Sequence, residues 1–202
     1  MKGTPWLMAM LLYGAGLRLM ECCRLRVKDI DFSSNQIIVR AGKGDKDRHT
    51  MLPVAIKEPL LRHLKVTRYQ HDEDRKKGLG RVSLPNALER KYPNAGREWA
   101  WQWVFPATGH FTDHITGEKR RHHLHESVVQ KAVKEARLNA GIYKPAGCHT
   151  FSQCFDIVTT CSISLILSAT LVVRRQLVEI FFSYALFESL FLQPLTPGLS
   201  LR

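Results

Sequence analysis

The sequence predicts a mainly α fold of the α+β class, in which helices surround a small antiparallel β-hairpin sheet. Apolar residues recur at helical spacing between Glu126 and Leu138, through Val129, Val133 and Ala136. A second helical pattern covers residues 55–74, and a short β-branched run at residues 36–40 precedes a glycine-rich turn. Together these patterns exclude an all-β domain and favour helices around one hairpin.

The N-terminal segment from Pro5 to about Arg26 predicts a helix, a break and a second helix. Apolar residues form one face up to Tyr13, and Gly14 and Gly16 then interrupt the pattern. Because apolar spacing resumes after these glycines, we expect the chain to change direction there.

The hairpin is predicted from residues 36–40 (QIIVR), the turn at residues 41–45 (AGKGD) and a returning strand at residues 48–53. Lys43 lies between two glycines at its tip, where the backbone can come close to a ligand. We therefore expect Lys43 to be presented to a partner rather than packed.

The segment of residues 55–74 should form a helix with many basic residues outside. Its expected inward residues are Ile56, Leu60, Leu61, Leu64 and Val66. Periodicity fails from residue 76 to residue 111, which predicts a long loop of functional type. Residues 147–151 predict the start of a last helix, with Thr150 as a candidate cap.

Charge is unevenly distributed along the 202 residues, whose formal net charge is +12. From Gln153 onward three basic residues cancel three acidic ones, so the first 152 residues carry the whole excess. This balance favours a polyanionic partner, nucleic acid first and an anionic membrane second, although a merely basic soluble protein remains an alternative.

The composition changes abruptly after residue 152. Residues 153–202 contain no lysine and no tryptophan and are rich in Leu, Ile, Val, Phe, Ser and Thr. Their longest apolar run, residues 163–173, is shorter than the roughly 20 residues that a bilayer span needs, so we expect no membrane span. The change suggests a partial domain at residues 1–152 followed by a divergent tail produced by a frameshift.

The cysteines number five and follow no secretory segment. An odd number in this context favours free thiols in a reducing cytosol. The five are Cys22, Cys23, Cys148, Cys154 and Cys161.

Three cationic side chains stand at positions suited to phosphate binding: Arg18, Lys43 and His149. Arginine offers a planar two-pronged donor, lysine a mobile point charge and histidine a proton or a hydrogen bond. Each of them alone could be a solvated surface charge. Their combination is a stronger indication of a phosphate site than any one of them, although their spacing alone does not establish it.

Five segments, in order along residues 1–151, resemble motifs of the tyrosine recombinases, and the third resembles the insertion that marks integron integrases. They are residues 13–21 (YGAGLRLME) with residues 25 and 27–31, residues 42–48 (GKGDKDR) with residues 52–53, residues 91–106, residues 122–132 and residues 144–151 (KPAGCHTF). The resemblance implies a recombinase catalytic domain with its insertion at about residues 76–111, and without the family's N-terminal domain.

The resemblance also implies roles for single residues. Arg18 would clamp the scissile phosphate, Lys43 would protonate the departing 5′ oxygen, and His149 would assist proton handling. The family's nucleophilic tyrosine is expected about 35 residues after His149, where Tyr184 stands in an unfamiliar context. This chemistry, a 3′-phosphotyrosine transesterification, needs no metal and no cofactor.

Further residues are expected to contact DNA, including bases that protrude from folded single-stranded hairpin sites. They are Lys46, Arg48, Trp99, Trp101, Trp103, His122 and His123. The tryptophans could equally pack under the long loop. Several histidines cluster between residues 110 and 125, but without paired cysteines they do not predict a zinc site.

The sequence departs from the family pattern after Phe151. Ser152 stands where an arginine is expected, and the tail lacks the family's Leu-Gly-His box, with Arg175 near the place of its histidine. We therefore expect a bacterial, cytoplasmic, nucleoid-associated recombinase that assembles on DNA as a homo-oligomer and is impaired in strand transfer. The alternatives are a non-catalytic DNA-binding remnant and a membrane-associated basic protein.

Overall fold

The computed structural model describes residues 1–40, 47–85, 88–114 and 117–153. The fold within them is helical with two small antiparallel sheets, which confirms the predicted class. The helices are α1 Gly3–Gly14, α2 Leu19–Cys23, α3 Val54–Lys76, α4 Leu88–Lys91 and α5 Glu126–Asn139. The strands are β1 Ile30–Asp31, β2 Gln36–Val39, β3 Arg48–Met51, β4 Pro106–Thr112 and β5 Lys119–His123.

Helix α1 lies at the centre of the domain, where it contacts α2, α3 and α5. It carries no charged side chain, and every residue from Leu7 to Leu12 is buried. A helix that is apolar on all sides requires burial on all sides. The core is therefore organised around α1.

The predicted break after α1 is confirmed, and two glycines produce it for different reasons. A Cβ atom on Gly14 would lie 2.6 Å from Cγ of Pro53, so this position needs glycine for close approach. Gly16 adopts φ of 61°, a left-handed conformation that favours glycine. The resulting turn places Arg18 directly before α2.

The first sheet has the order β1-β2-β3, and the predicted hairpin is its β2–β3 pair. Ile37 and Val39 point into the core from β2. On β3, the Thr50 hydroxyl donates a 2.7 Å hydrogen bond to the carbonyl of Ala15. The sheet is thereby fixed against the turn that precedes Arg18.

Helix α3 confirms the predicted helix but corrects one of its expected core residues. Val66 is 69% exposed, and Leu61 is only partly buried. The buried stripe continues instead through Thr67, His71 and Asp74. These polar side chains take the inward positions because the second half of α3 packs against the residues that follow it.

The prediction of a continuous loop at residues 76–111 is wrong in part. This segment contains α4, the 3₁₀ turns Ala95–Arg97 and Trp99–Trp101, and β4, which pairs with β5. Ion pairs rather than apolar alternation hold the second hairpin. Arg121 on β5 contacts Asp74 at 2.7 Å, and Arg120 contacts Glu89 at 2.8 Å.

The last described helical residues are 148–153, as predicted from residues 147–151. Thr150 lies inside this helix rather than before it, so the expectation of a cap at Thr150 is wrong. Its hydroxyl oxygen accepts a 3.2 Å hydrogen bond from the Gly147 amide. Cys148 and Phe151 are buried in the main core and attach this helix to the domain.

Three cysteines, Cys22, Cys23 and Cys148, are buried free thiols. Burial raises the pKa of Cys23 and of Cys148 to about 11, so both remain protonated near neutral pH. Cys154 and Cys161 lie outside the described residues, as do residues 163–173. In the described ranges no helix is both long and apolar enough to cross a bilayer, and no three metal-ligating side chains converge.

Candidate functional site

Arg18 is oriented by Glu21, three residues further along the chain. The Arg18 main-chain amide donates to one Glu21 carboxylate oxygen at 2.8 Å, and the Arg18 guanidinium donates to the other at 3.3 Å. Half of the Arg18 side chain remains exposed, at 51%. The guanidinium is thus held in one direction while most of its donors stay available to an anion.

Arg48 on β3 shares the same carboxylate. Its guanidinium donates to Glu21 at 2.6 Å and to the Gly16 carbonyl at 3.2 Å. The β2–β3 register therefore brings a second arginine beside Arg18. One nearly buried carboxylate between two arginines holds both cations in place despite their mutual repulsion.

His149 and Arg18 line the same cavity, which has a volume of about 600 Å³. His149 is exposed at the start of helical residues 148–153. Ser152, on the next turn, is buried and donates a 2.8 Å hydrogen bond to the carbonyl of Leu17. This contact ties the helix that carries His149 to the segment that carries Arg18, so the structure brings these two predicted residues together.

Two predicted catalytic residues, Lys43 and Tyr184, lie outside the described residues, and so does Lys46 of the predicted DNA contacts. Their roles remain predictions from the sequence. Arg48, the other residue of this hairpin that was predicted to contact DNA, lies within the described residues. Its side chain is half-exposed beside Arg18.

Arg26 is a buried cation that binds the insertion to the rest of the domain. Its two terminal nitrogens donate separately to the carbonyls of Trp101, at 2.6 Å, and Ser83, at 2.8 Å. The guanidinium also lies 3.8 Å from the centre of the Trp103 ring. Burial lowers the pKa of Arg26 to about 10, which still leaves it charged at neutral pH.

The predicted stacking residues divide into buried and accessible ones. Trp103 is 7% exposed, and buried His123 contacts it edge-on with ring centres 5.4 Å apart. These two rings pack within the protein in this conformation. Trp99 and Trp101 are partly exposed and His122 is exposed.

Trp101 borders a groove of about 430 Å³ whose lining also includes Arg18. The ammonium of Lys28 lies 3.0 Å from the centre of the Trp101 ring, a cation–π contact that holds both side chains. Further lining cations are Arg24, Arg26 and Arg40, so the cations outnumber the two lining carboxylates, Glu21 and Asp29. The groove thus connects the Arg18 region with an aromatic face in a basic setting, which is the composition expected of a nucleic-acid surface.

Comparison with known proteins decides the family. The phage integrase family model matches residues 5–155. The chain belongs to the phage integrase family. Its relatives include an "Integrase/recombinase" of Escherichia coli and another of Pseudomonas aeruginosa, each 47% identical over 155 residues, which cover 77% of this chain and 46% of the relative.

Other relatives carry the name "Tyrosine recombinase XerA", including one from Thermococcus onnurineus that is 41% identical over 86 residues, 41% of this chain and 30% of that protein. The predicted resemblance to tyrosine recombinases is therefore confirmed. A solved XerA recombinase structure aligns with a TM-score of 0.46 and 20% identity over 85% of this chain and 49% of that chain. The chain spans about half the length of its first relatives.

Sequence reasoning missed three side chains of this phage integrase cavity: Gln130, Lys134 and Arg137 of α5. The signal was present as the spacing i, i+4, i+7, beside the buried stripe of Val129 and Val133. This spacing alone does not predict a site, because lysine and arginine on the outer face of an amphipathic helix are usually solvated surface residues.

Proposed function

We propose that this chain derives from a recombinase that exchanges DNA strands at specific sites, and that strand transfer by the chain itself is impaired. One observation carries the proposal. Arg18, held by Glu21, shares a cavity with His149, and Ser152 stands where the resemblance leads us to expect a second phosphate-clamping arginine. If Arg18 and His149 bind a phosphodiester as proposed, one cation of the expected clamp is missing.

The proposed reaction is a transesterification at phosphorus. A tyrosine hydroxyl attacks the scissile phosphorus and passes its proton to His149, while the bond from phosphorus to the 5′ oxygen breaks and Lys43 gives that oxygen a proton. In the second step the 5′ hydroxyl of another DNA end attacks the 3′-phosphotyrosine and returns a proton to Lys43, and the released tyrosine oxygen takes its proton back from His149. Arg18 stabilises the charge on the phosphoryl oxygens, and His149 assists proton handling at the phosphate. The loss of one preorganised donor costs on the order of a hundredfold in rate.

We further propose that the DNA is a folded single-stranded site of the integron type. The support is the partial exposure of Trp99 and Trp101 and the exposure of His122, together with the basic groove that Trp101 borders. Stacking of a protruding base on an aromatic side chain contributes about 1–3 kcal/mol. Because two DNA ends must be exchanged, we expect several copies of the chain to assemble on DNA.

A covalent-adduct assay tests the proposed reaction. The purified protein is mixed with a nicked, hairpin-folded recombination site and resolved on a denaturing gel. We expect little or no adduct, alongside salt-sensitive binding in a gel shift. An abundant adduct that disappears in Tyr184→Phe would show that the chain still delivers its nucleophile and would overturn the proposed impairment.

The second candidate function is that of a DNA-binding remnant without catalysis, which the presence of Ser152 also favours. It differs from an impaired enzyme in giving no adduct even after long incubation at high protein concentration. The proposed frameshift has its own test in the coding DNA. Translation of the other two frames beyond codon 152 should restore an arginine, a Leu-Gly-His box and a tyrosine, and their absence from both frames would exclude it.

A further inference from the structure

A row of side chains on α5 faces the cavity that contains Arg18 and His149. Gln130, Lys134 and Arg137 follow one another at i, i+4 and i+7, which places them on one side of the helix. The neighbouring side of α5 is buried through Val129 and Val133. Because these valines pack in the core, the helix cannot rotate about its axis, and the side that carries the three residues stays toward the cavity.

The lining of this cavity is basic. Its cations are Arg18, Lys134 and Arg137, with His149 beside them, and no aspartate or glutamate lines it among the described residues. Arg18 alone of the three is paired with a carboxylate, that of Glu21, in the described ranges. Lys134 is exposed and forms no ion pair within the described ranges. Such a concentration of like charge is unfavourable for the protein alone and becomes favourable when an anion binds between the cations.

The segment between α5 and the helix that carries His149 forms part of the cavity wall, and specific contacts hold it in place. Arg137 donates a 3.1 Å hydrogen bond to the carbonyl of Lys144 and thereby holds the connection between α5 and the His149 helix. Ile142 and Ala146 pack that connection against the core. Three consecutive residues, Pro145, Ala146 and Gly147, then form the wall.

The cavity is larger than one phosphate requires. Its volume of about 600 Å³ falls within the range of about 300–1,000 Å³ that is typical of sites for drug-sized molecules. Arg18 directly precedes α2 and His149 belongs to helical residues 148–153, whereas Lys134 and Arg137 belong to α5. An elongated polyanion that enters at Arg18 can therefore meet a second pair of cations.

We propose that Lys134 and Arg137 bind a second phosphodiester of the same DNA strand, next to the one held by Arg18 and His149. This inference rests on the proposed function, because it takes Arg18 and His149 as the position of the scissile phosphate. The second contact fixes the strand along its axis, so that a single register presents a phosphate to Arg18. Lys134 supplies a mobile point charge, and Arg137 supplies a planar donor that is already oriented by its bond to Lys144.

The salt dependence of DNA binding provides the first test. Affinity for a hairpin duplex is measured by fluorescence anisotropy over a range of salt concentrations. Removal of one cation that binds a phosphate should decrease the magnitude of the slope of log affinity against log salt by about 0.9. We expect this change in Lys134→Ala and its restoration in Lys134→Arg. Lys131→Ala is the matched control, since Lys131 is exposed on α5 and does not line the cavity.

A scan of single phosphates provides the second test. Each linkage of the strand is replaced in turn by an uncharged methylphosphonate, and binding is compared between the wild-type chain and Lys134→Ala. Replacement of one particular linkage should weaken DNA binding by the wild type several-fold and leave DNA binding by Lys134→Ala unchanged. Equal effects on both proteins at every linkage, or equal slopes for Lys134→Ala and Lys131→Ala, would overturn the second contact.

Free inorganic phosphate is the alternative ligand for these cations, because it carries the same charged oxygens as a phosphodiester. Inorganic phosphate, titrated at constant ionic strength, should not raise the thermal midpoint of the wild type more than that of Lys134→Ala. A Lys134-dependent rise without any change in the DNA slope would indicate a site for a free anion and would overturn the proposal. These readouts need no nucleophile, so they separate the outcomes: absence of DNA binding rejects the proposed function, whereas an unchanged slope in Lys134→Ala rejects only the second contact.

Discussion

The hydroxyl of Ser152 donates a 2.8 Å hydrogen bond to the main-chain carbonyl of Leu17, the residue that directly precedes Arg18. The side chain is buried in this contact. Ser152 therefore has a structural role at the position where the tyrosine-recombinase resemblance predicts a cation. The same residue joins the two segments that carry Arg18 and His149.

Ser152→Ala should lower the free energy of unfolding by about 1–3 kcal/mol, because the buried Leu17 carbonyl is left without its donor. Urea unfolding measures this as a lower midpoint with an unchanged slope. Ser34→Ala is the control, since its hydroxyl is exposed, and its effect should stay within about 0.5 kcal/mol. Equal midpoints for Ser152→Ala and wild type would show that the hydrogen bond contributes nothing net.

Ser152→Arg should strengthen DNA binding by adding a cation to the cavity that Arg18 and His149 line. The salt slope should become steeper by about 0.9, the value expected of one new phosphate contact. Ser152→Met controls for removal of the hydrogen bond and for the added bulk without adding charge. If the arginine and methionine variants bind DNA with the same slope, the new guanidinium does not reach a phosphate.

Arg26→Lys should destabilise the protein by about 2–3 kcal/mol although the charge is retained. A single ammonium cannot donate to the Trp101 and Ser83 carbonyls in the forked arrangement of a guanidinium, so one buried acceptor is left without a partner. Tryptophan fluorescence during urea unfolding follows the change. The same replacement at exposed Arg24 should have almost no effect. Similar destabilisation at the two positions would contradict an anchoring role for Arg26.

Acidification should destabilise the fold through His71. Burial lowers the pKa of His71 below its ordinary value, with Arg75 and Arg68 acting in the same direction and Asp72 opposing them. In the unfolded chain the pKa returns to about 6.5. The unfolded state therefore binds the proton first, so the stability contributed by neutral His71 is complete above pH of about 6.5 and is lost as pH falls towards the folded pKa.

His71→Phe should flatten this dependence between about pH 7 and pH 5, because it keeps a ring against Trp99 and removes the titrating group. Urea midpoints at several pH values measure the effect. Part of the slope should remain, since burial also lowers the pKa of His63 and of His123. His114→Gln, at an exposed position, should leave the profile unchanged. If the urea midpoint of His71→Phe depends on pH as steeply as that of the wild type, groups other than His71 cause the acid sensitivity.

The elements that could be predicted from the sequence are those whose burial pattern is apolar. Helix α5 buries Val129, Val133 and Ala136, and β2 buries Ile37 and Val39, as their periodicity indicates. Val66 shows where this reasoning fails. It is apolar but faces outward, because the buried stripe of α3 passes to His71 and Asp74.

The β4–β5 hairpin could not be predicted from the sequence, because its residues follow no apolar pattern. Strand β5 (KRRHH) contains no aliphatic residue, and its stability comes from ion pairs of Arg120 and Arg121 with residues far away in the sequence. Asp74, the partner of Arg121, is 47 positions upstream. Long-range pairs of this kind leave no local pattern. In the site, Arg18 and His149 were predicted, but the cavity between them and the row on α5 depend on tertiary packing.

Phe151 is buried in the main core, together with Cys148, directly before the change in composition at residue 153. The helix that carries His149 is therefore attached to the core by side chains that are encoded before the change in composition. The placement of His149 beside Arg18 thus rests on the part of the chain that still matches the family pattern.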